Sequence, residues 1–151
     1  MSTFANKRLT KELSQLEKNT IPGITIIPSE NIMTWYATIQ GPPDTPYEKG
    51  TFKIRFRFND DYPVKAPIVD SITPIYHPNF YRDGKICVDI LQSEWSPAQN
   101  IRTILLSIMS LLSDPNPASP ANREAAILYN TNREEYNKTV REFVEKHLNL
   151  D

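Results

Sequence analysis

Residues 50–58, GTFKIRFRF, restrict the fold more than any other stretch of this chain. Phe52, Ile54, Phe56 and Phe58 alternate with Lys53, Arg55 and Arg57. Successive side chains of an extended strand point to opposite faces, so the spacing predicts a strand over Gly50–Phe58 with one dry and one wet side. A sheet of that kind is characteristic of antiparallel architectures.

The neighbouring segments extend the pattern. Met33–Gln40 sets Trp35, Ala37 and Ile39 against Thr34, Tyr36 and Thr38, and Gly23–Ile27 is short and β-branched. Ile68–Thr73 supplies a fourth strand after Tyr62-Pro63 and Ala66-Pro67. The connection GPPDTPYEKG is dense in turn formers. Sequential strands with short links predict a four-stranded antiparallel meander.

Helices occupy the ends of the chain. Leu9, Leu13 and Leu16 form a narrow apolar stripe over Thr3–Lys18, with Lys7, Arg8 and Lys11 off it and facing solvent. Ile21-Pro22-Gly23 stops that helix. Ile101–Leu112 is apolar nearly all round, which predicts a buried central helix on the dry face of the sheet, with Asn100 as its N-cap. Prolines 115, 117 and 120 forbid its continuation. Ala121–Tyr129 and Thr131–Leu148 follow as two C-terminal helices, the last with Tyr136, Val140, Phe143 and Val144 inward. Residues 1–151 thus read as a single α+β domain, a size that supports a core without disulfide or metal.

Composition excludes several classes of function. A net charge of −1 supplies no bulk basic field for nucleic acid or an anionic membrane. No apolar run is long enough to span a bilayer, and the N-terminus lacks the apolar core of a signal peptide. A single cysteine cannot form an internal disulfide and points to a reducing compartment, so the expected location is cytoplasmic or nuclear. One Cys and two His are too few for a zinc site, and no bound metal or cofactor is expected.

The irregular region 73–100 is where functional groups sit on such a scaffold. It contains HPNFYRDGKIC at 77–87, with the lone Cys87. Lone cysteines are mostly small buried hydrophobes. Here, however, Lys85 and Asp89 flank Cys87 at i−2 and i+2 beyond an Asp-Gly turn, which turns the thiol toward water and makes it a candidate nucleophile. His77 could complete a Cys–His pair, but it is pinned by Pro78 and has no evident orienting partner, so it reads as a turn histidine. Asn79 is either an oxyanion donor or an Asx turn, and spacing leaves both open.

His77-Pro78-Asn79, Cys87 in ICVDIL, Trp95-Ser96-Pro97 and DPNP at 114–117, in this order, resemble the ubiquitin-conjugating enzymes. The resemblance continues through GPPDTPYEKGTFK and YPVKAP and runs the length of the chain. It implies a four-stranded meander, an N-terminal helix, a central helix and two C-terminal helices, in a minimal catalytic core without long extensions. It also implies that ubiquitin passes from an activating enzyme, which consumes ATP upstream, to Cys87 as a thioester, and then to a lysine presented with a ubiquitin ligase, the RING type above all. Asn79 would stabilise the oxyanion or hold the loop that does, His77 and Pro78 would be structural, Tyr81 would desolvate the incoming lysine, and Asp89 would stand at the gate. Lys7, Arg8, Lys11, Val64, Pro97 and Ala98 match the surface that binds ligase and activating enzyme. Val64 stands where many members have phenylalanine, which suggests a narrower set of ligases.

The chain departs from the family pattern at Ala118-Ser119-Pro120, where many members carry Asp-Asp-Pro. Ser119 cannot supply the aspartate's charge. Asp89 or Asp114 would substitute, a partner would supply the activation, or phosphorylation of the Ser-Pro would restore negative charge. The plainer role for Ser119 is to N-cap a helix starting at Pro120. PNPASPAN is similar to the branch associated with post-replication repair. CVDILQSEWSP lacks the insertion of the enzymes dedicated to the modifier SUMO, which leaves ubiquitin as the expected modifier. A cysteine-free variant of the family is a further expected partner. The rival functions are a non-enzymatic binding module, a cysteine hydrolase using Cys87 and His77, and a redox-sensitive thiol.

Overall fold

The computed structural model describes residues 3–27 and 29–148. Helix α1 (Phe4–Lys18) begins where the Thr3 side chain accepts a hydrogen bond from the Asn6 amide at 3.0 Å. Leu9 and Leu16 are buried and Leu13 half-buried, as the stripe predicts; Ala5 and Glu12 are buried on the same face.

Strands β1 (Ile24–Ile27), β2 (Thr34–Gln40), β3 (Thr51–Arg57) and β4 (Ile68–Ser71) pair in sequence order, all antiparallel. The register sets Phe56 between Trp35 and Val69, and Ile54 between Ala37 and Ser71. Every apolar member of these two rows is buried, so the alternation in β3 does define the dry face. On the wet face Tyr36, Arg55 and Asp70 stand side by side across β2, β3 and β4. Arg55 grips the Asp70 carboxylate with two hydrogen bonds, of 3.1 and 2.6 Å, and Arg57 adds an ion pair at 3.6 Å.

Helix α2 (Ile101–Ser113) starts at Asn100 with a full capping box: the Asn100 side chain accepts from the Thr103 amide and the Thr103 hydroxyl accepts from the Asn100 amide. Ile101, Ile104, Leu105, Ile108 and Leu112 share one core cluster with the dry face of the sheet. Each such side chain stabilises the fold by about 1.5–3 kcal/mol through burial. The expectation of a helix buried all round needs correction at Leu106, which is 45% exposed. A helix seated on one sheet presents a solvent side whatever its composition.

The last two helices are shifted from their expected limits. Helix α3 is Arg123–Thr131, capped by Asn122, and α4 is Arg133–Lys146, capped by Asn132. Pro120 therefore does not open a helix, and Ser119 is not its cap. Asparagines at 122 and 132 set the boundaries because each side chain accepts from a backbone amide three residues on. Tyr136 on α4 meets Tyr47 hydroxyl to hydroxyl at 2.6 Å, and Tyr47 donates to the Tyr76 carbonyl at 2.6 Å. Since Tyr47 has a single proton, Tyr136 is the donor between the two phenols. The pair fastens α4 and the 42–50 loop to the segment that leads into residues 77–87.

Candidate active site

Cys87 sits on a segment held from both sides. Its amide donates to the Asn79 carbonyl at 2.8 Å, and Phe80 and Ile86 form a bridge beside it. The turn before it is the expected Asp-Gly turn: the Gly84 amide donates to the Tyr81 carbonyl, and the Tyr81 amide to the Lys85 carbonyl. Gly84 has φ +95°, and a Cβ there would overlap the Ser71 carbonyl of β4. A left-handed glycine is thus required to press this turn against the sheet. Along the segment Ile86, Val88 and Ile90 are buried, Lys85 and Asp89 are exposed and Cys87 is half-buried. The thiol lies on the open side, as its neighbours at i−2 and i+2 predict.

His77 is fully buried and uses both ring nitrogens. Nδ1 accepts from the Asn79 amide at 2.9 Å, so Nε2 carries the proton and donates to the Leu111 carbonyl near the end of α2 at 2.7 Å. Burial lowers its pKa to about 4, against a small opposing effect of the Leu111 carbonyl. With both nitrogens committed to backbone, His77 has no lone pair to offer Cys87, which removes the hydrolase pairing. Pro78 contributes its carbonyl, which accepts from the Ala121 and Asn122 amides at 2.7 and 2.9 Å.

Asn79 is 1% exposed. Its Nδ2 donates to the carbonyls of Asn116 (2.8 Å) and Ser119 (3.2 Å), and its Oδ1 accepts from the Asn116 amide at 2.9 Å. Both amide protons are taken, so in this arrangement the side chain clamps the 116–119 loop and has no donor free for an oxyanion. Tyr81, Asp89, Asp114 and Ser119 are all exposed. Among the described residues no group of three or more His, Cys, Asp or Glu is placed to hold a metal.

A second region joins α1 to two loops. Lys7 and Lys11 face solvent as expected, and Val64 (73% exposed), Pro97 and Ala98 are exposed in the loops. Arg8 departs from expectation. Its guanidinium donates to Glu12 (2.9 Å), to the Pro97 carbonyl (3.2 Å) and to the Gln99 carbonyl (2.9 Å), and lies 5.7 Å from the Tyr62 ring centre. It is a strut rather than a free charge. Trp95 adds a tie by donating to the Pro63 carbonyl at 3.0 Å. Glu12, which sequence reasoning missed, is the centre of this region. Its carboxylate accepts from Arg8, from the Tyr62 hydroxyl at 2.6 Å and from the Ile101 amide at 2.8 Å. The available signal was an acid within the apolar stripe, one turn after Arg8.

An antiparallel meander backed by α2, with one half-exposed thiol mounted on a loop clamped by Asn79 and His77, defines a protein built to present a single cysteine on a rigid base. Residues 8–144 match the family model described as ubiquitin-conjugating enzyme. Ubiquitin-conjugating enzyme E2 3 of Arabidopsis thaliana is 51% identical over 97% of this chain and 98% of its own length. Ubiquitin-conjugating enzyme E2 2 of Candida glabrata is 48% identical over 97% of this chain and 88% of its own length. The protein of that name from Saccharomyces cerevisiae is 47% identical over 97% and 86%. The chain belongs to the ubiquitin-conjugating enzyme family, transferases that work through a cysteine thioester.

Proposed function

We propose that Cys87 is the residue on which this ubiquitin-conjugating enzyme carries its thioester. The supporting observation is the position of the thiol: half-exposed, on the open side of a segment whose backbone is bonded to Asn79. The Cys87 thiolate attacks the thioester carbonyl that links ubiquitin to the activating enzyme. A new C–S bond forms, the old one breaks, and the activating enzyme's cysteine leaves as the thiolate. Exchange between thioesters is nearly balanced in energy, so access matters more than an extreme pKa. A neutral lysine amine then attacks the same carbonyl, the C–S bond breaks, Cys87 leaves as the thiolate and takes up the proton shed by the amine, and an isopeptide bond remains.

The remaining roles extend this reading. Asn79 ties the 116–119 loop to the segment whose backbone it shares with Cys87, with His77 and Pro78 completing the clamp. Tyr81 and Asp89 border the approach of the acceptor lysine. Ser119, exposed and followed by Pro120, is the position where a phosphate would add the negative charge that the chain itself lacks there. Lys7, Lys11, Val64, Pro97 and Ala98 form the docking surface for the activating enzyme and for a RING-type ligase, with Arg8 and Glu12 as its internal bracing. A cysteine-free variant of the family fits as an additional partner. The lone cysteine suits a reducing cytoplasmic or nuclear location.

The test is a thioester assay with activating enzyme, ATP and ubiquitin, run on a non-reducing gel. A ubiquitin-sized shift that dithiothreitol removes, and that Cys87→Ala lacks, is the expected result. Absence of the shift, with the activating enzyme competent toward a known acceptor, overturns the assignment and favours a binding module.

A further inference from the structure

We propose that Lys85 is an acceptor for the acyl group carried by Cys87, a self-modification site on the same segment as the nucleophile. The proposal rests on the thioester reading above. Burial alternates along this segment, so Lys85 and Cys87 emerge on its open side with the buried Ile86 between them. Two residues of extended chain separate their backbones by about 6.6 Å, a gap that the flexible four-carbon stem of lysine spans.

The backbone beneath them is fixed at several points. The Ser71 amide donates to the Gly84 carbonyl at 2.7 Å, Asp70 bridges Lys85, and the Cys87 amide is bonded to Asn79. Only the lysine side chain therefore has to be ordered for reaction. Asp70, the carboxylate facing Lys85 across the bridge, is already occupied by Arg55 and Arg57. Among the described residues no ion pair within 4.0 Å includes Lys85. Lys85 is also the only lysine between Lys65 and Lys138, so no other primary amine comes from the site's own loops.

The step needs no co-reactant. The neutral Nζ attacks the thioester carbonyl carbon of charged Cys87, a C–N bond forms, and the C–S bond breaks. Cys87 leaves as the thiolate and takes up the proton shed by the amine. Ubiquitin ends in an isopeptide bond to Lys85, beside the thiol it came from. An amine held this close has an effective concentration of order millimolar, about a thousandfold above that of a second enzyme molecule at micromolar concentration. Charged enzyme without a ligase would thus discharge onto itself.

The experiment charges the full chain with ubiquitin, stops the activating enzyme by removing ATP, and follows a band resistant to dithiothreitol over time. The expected band grows with a first-order rate that is unchanged over a tenfold range of enzyme concentration. Mass spectrometry of its tryptic digest places the Gly-Gly remnant on Lys85, and Lys85→Arg lowers the band at least tenfold while leaving thioester formation intact. If the thioester forms and decays only to free ubiquitin, or the remnant maps to another lysine, or the rate scales with enzyme concentration, the Lys85 proposal is overturned and the thioester reading stands. If no thioester forms, the failure lies with that reading instead.

Discussion

At the scale of single residues, His77 shows how a group typical of catalysis becomes architecture. The fold holds its imidazole neutral, with a pKa of about 4 against an ordinary 6.5. Between those values the unfolded chain binds more protons than the native one. The stabilisation is therefore fully present above pH 6.5 and is lost as pH falls toward 4, by about 3 kcal/mol in all. His77→Gln should lower the urea midpoint at pH 7.5, and the gap to the parent protein should narrow at pH 4.5. A gap that stays constant with pH would assign the acid sensitivity to other groups. Asn79 makes the same point through geometry. The type and position of this residue allow an oxyanion donor or a clamp, and the placement of Asn116 and Ser119 around its amide gives it the hydrogen bonds of a clamp.

At the scale of elements, Glu12 joins three parts of the fold that meet nowhere in the sequence: α1, the Tyr62 loop and the first residue of α2. A buried carboxylate is tolerated here because every close partner is a donor, one of them charged. Glu12→Gln keeps the volume but loses the ion pair with Arg8, and should cost about 2 kcal/mol in urea unfolding. A double-mutant cycle with Tyr62→Phe should show a coupling of at least about 0.5 kcal/mol, because the two side chains share one bond. Additive effects would mean that the 2.6 Å contact contributes nothing of its own. The elements themselves were largely legible from sequence. β3 was predicted over 50–58 and found at 51–57, and Asn100 caps α2 as its position suggests. The limits of α3 and α4 were displaced because a proline at 120 and a threonine at 131 compete with asparagine caps at 122 and 132, and the side-chain hydrogen bonds choose the asparagines.

At the scale of the whole molecule, a net charge of −1 hides a local arrangement. Lys7 and Lys11 are exposed on the N-terminal half of α1, whereas Arg8 between them is spent on internal carbonyls and Glu12. Replacing both lysines by glutamate should leave the melting temperature nearly unchanged. Charging by the activating enzyme should slow several-fold at low salt, with the difference narrowing at high salt as screening takes over. A salt-independent loss would place the two lysines outside a charge-steered contact. Spacing along the chain sets the local, periodic features: the dry face of the sheet, the helix stripes, the Asp-Gly turn and the outward bias of Cys87. Those follow from spacings of two and of three to four residues, which hold wherever the segment is placed. Long-range packing sets the rest: Asn79 is bonded to the 116–119 loop, His77 is neutral and committed, Arg8 is a strut and Glu12 is a hub. Each of those depends on which distant backbone groups need a partner, and contacts between residues 37 or 89 positions apart leave no trace in local pattern.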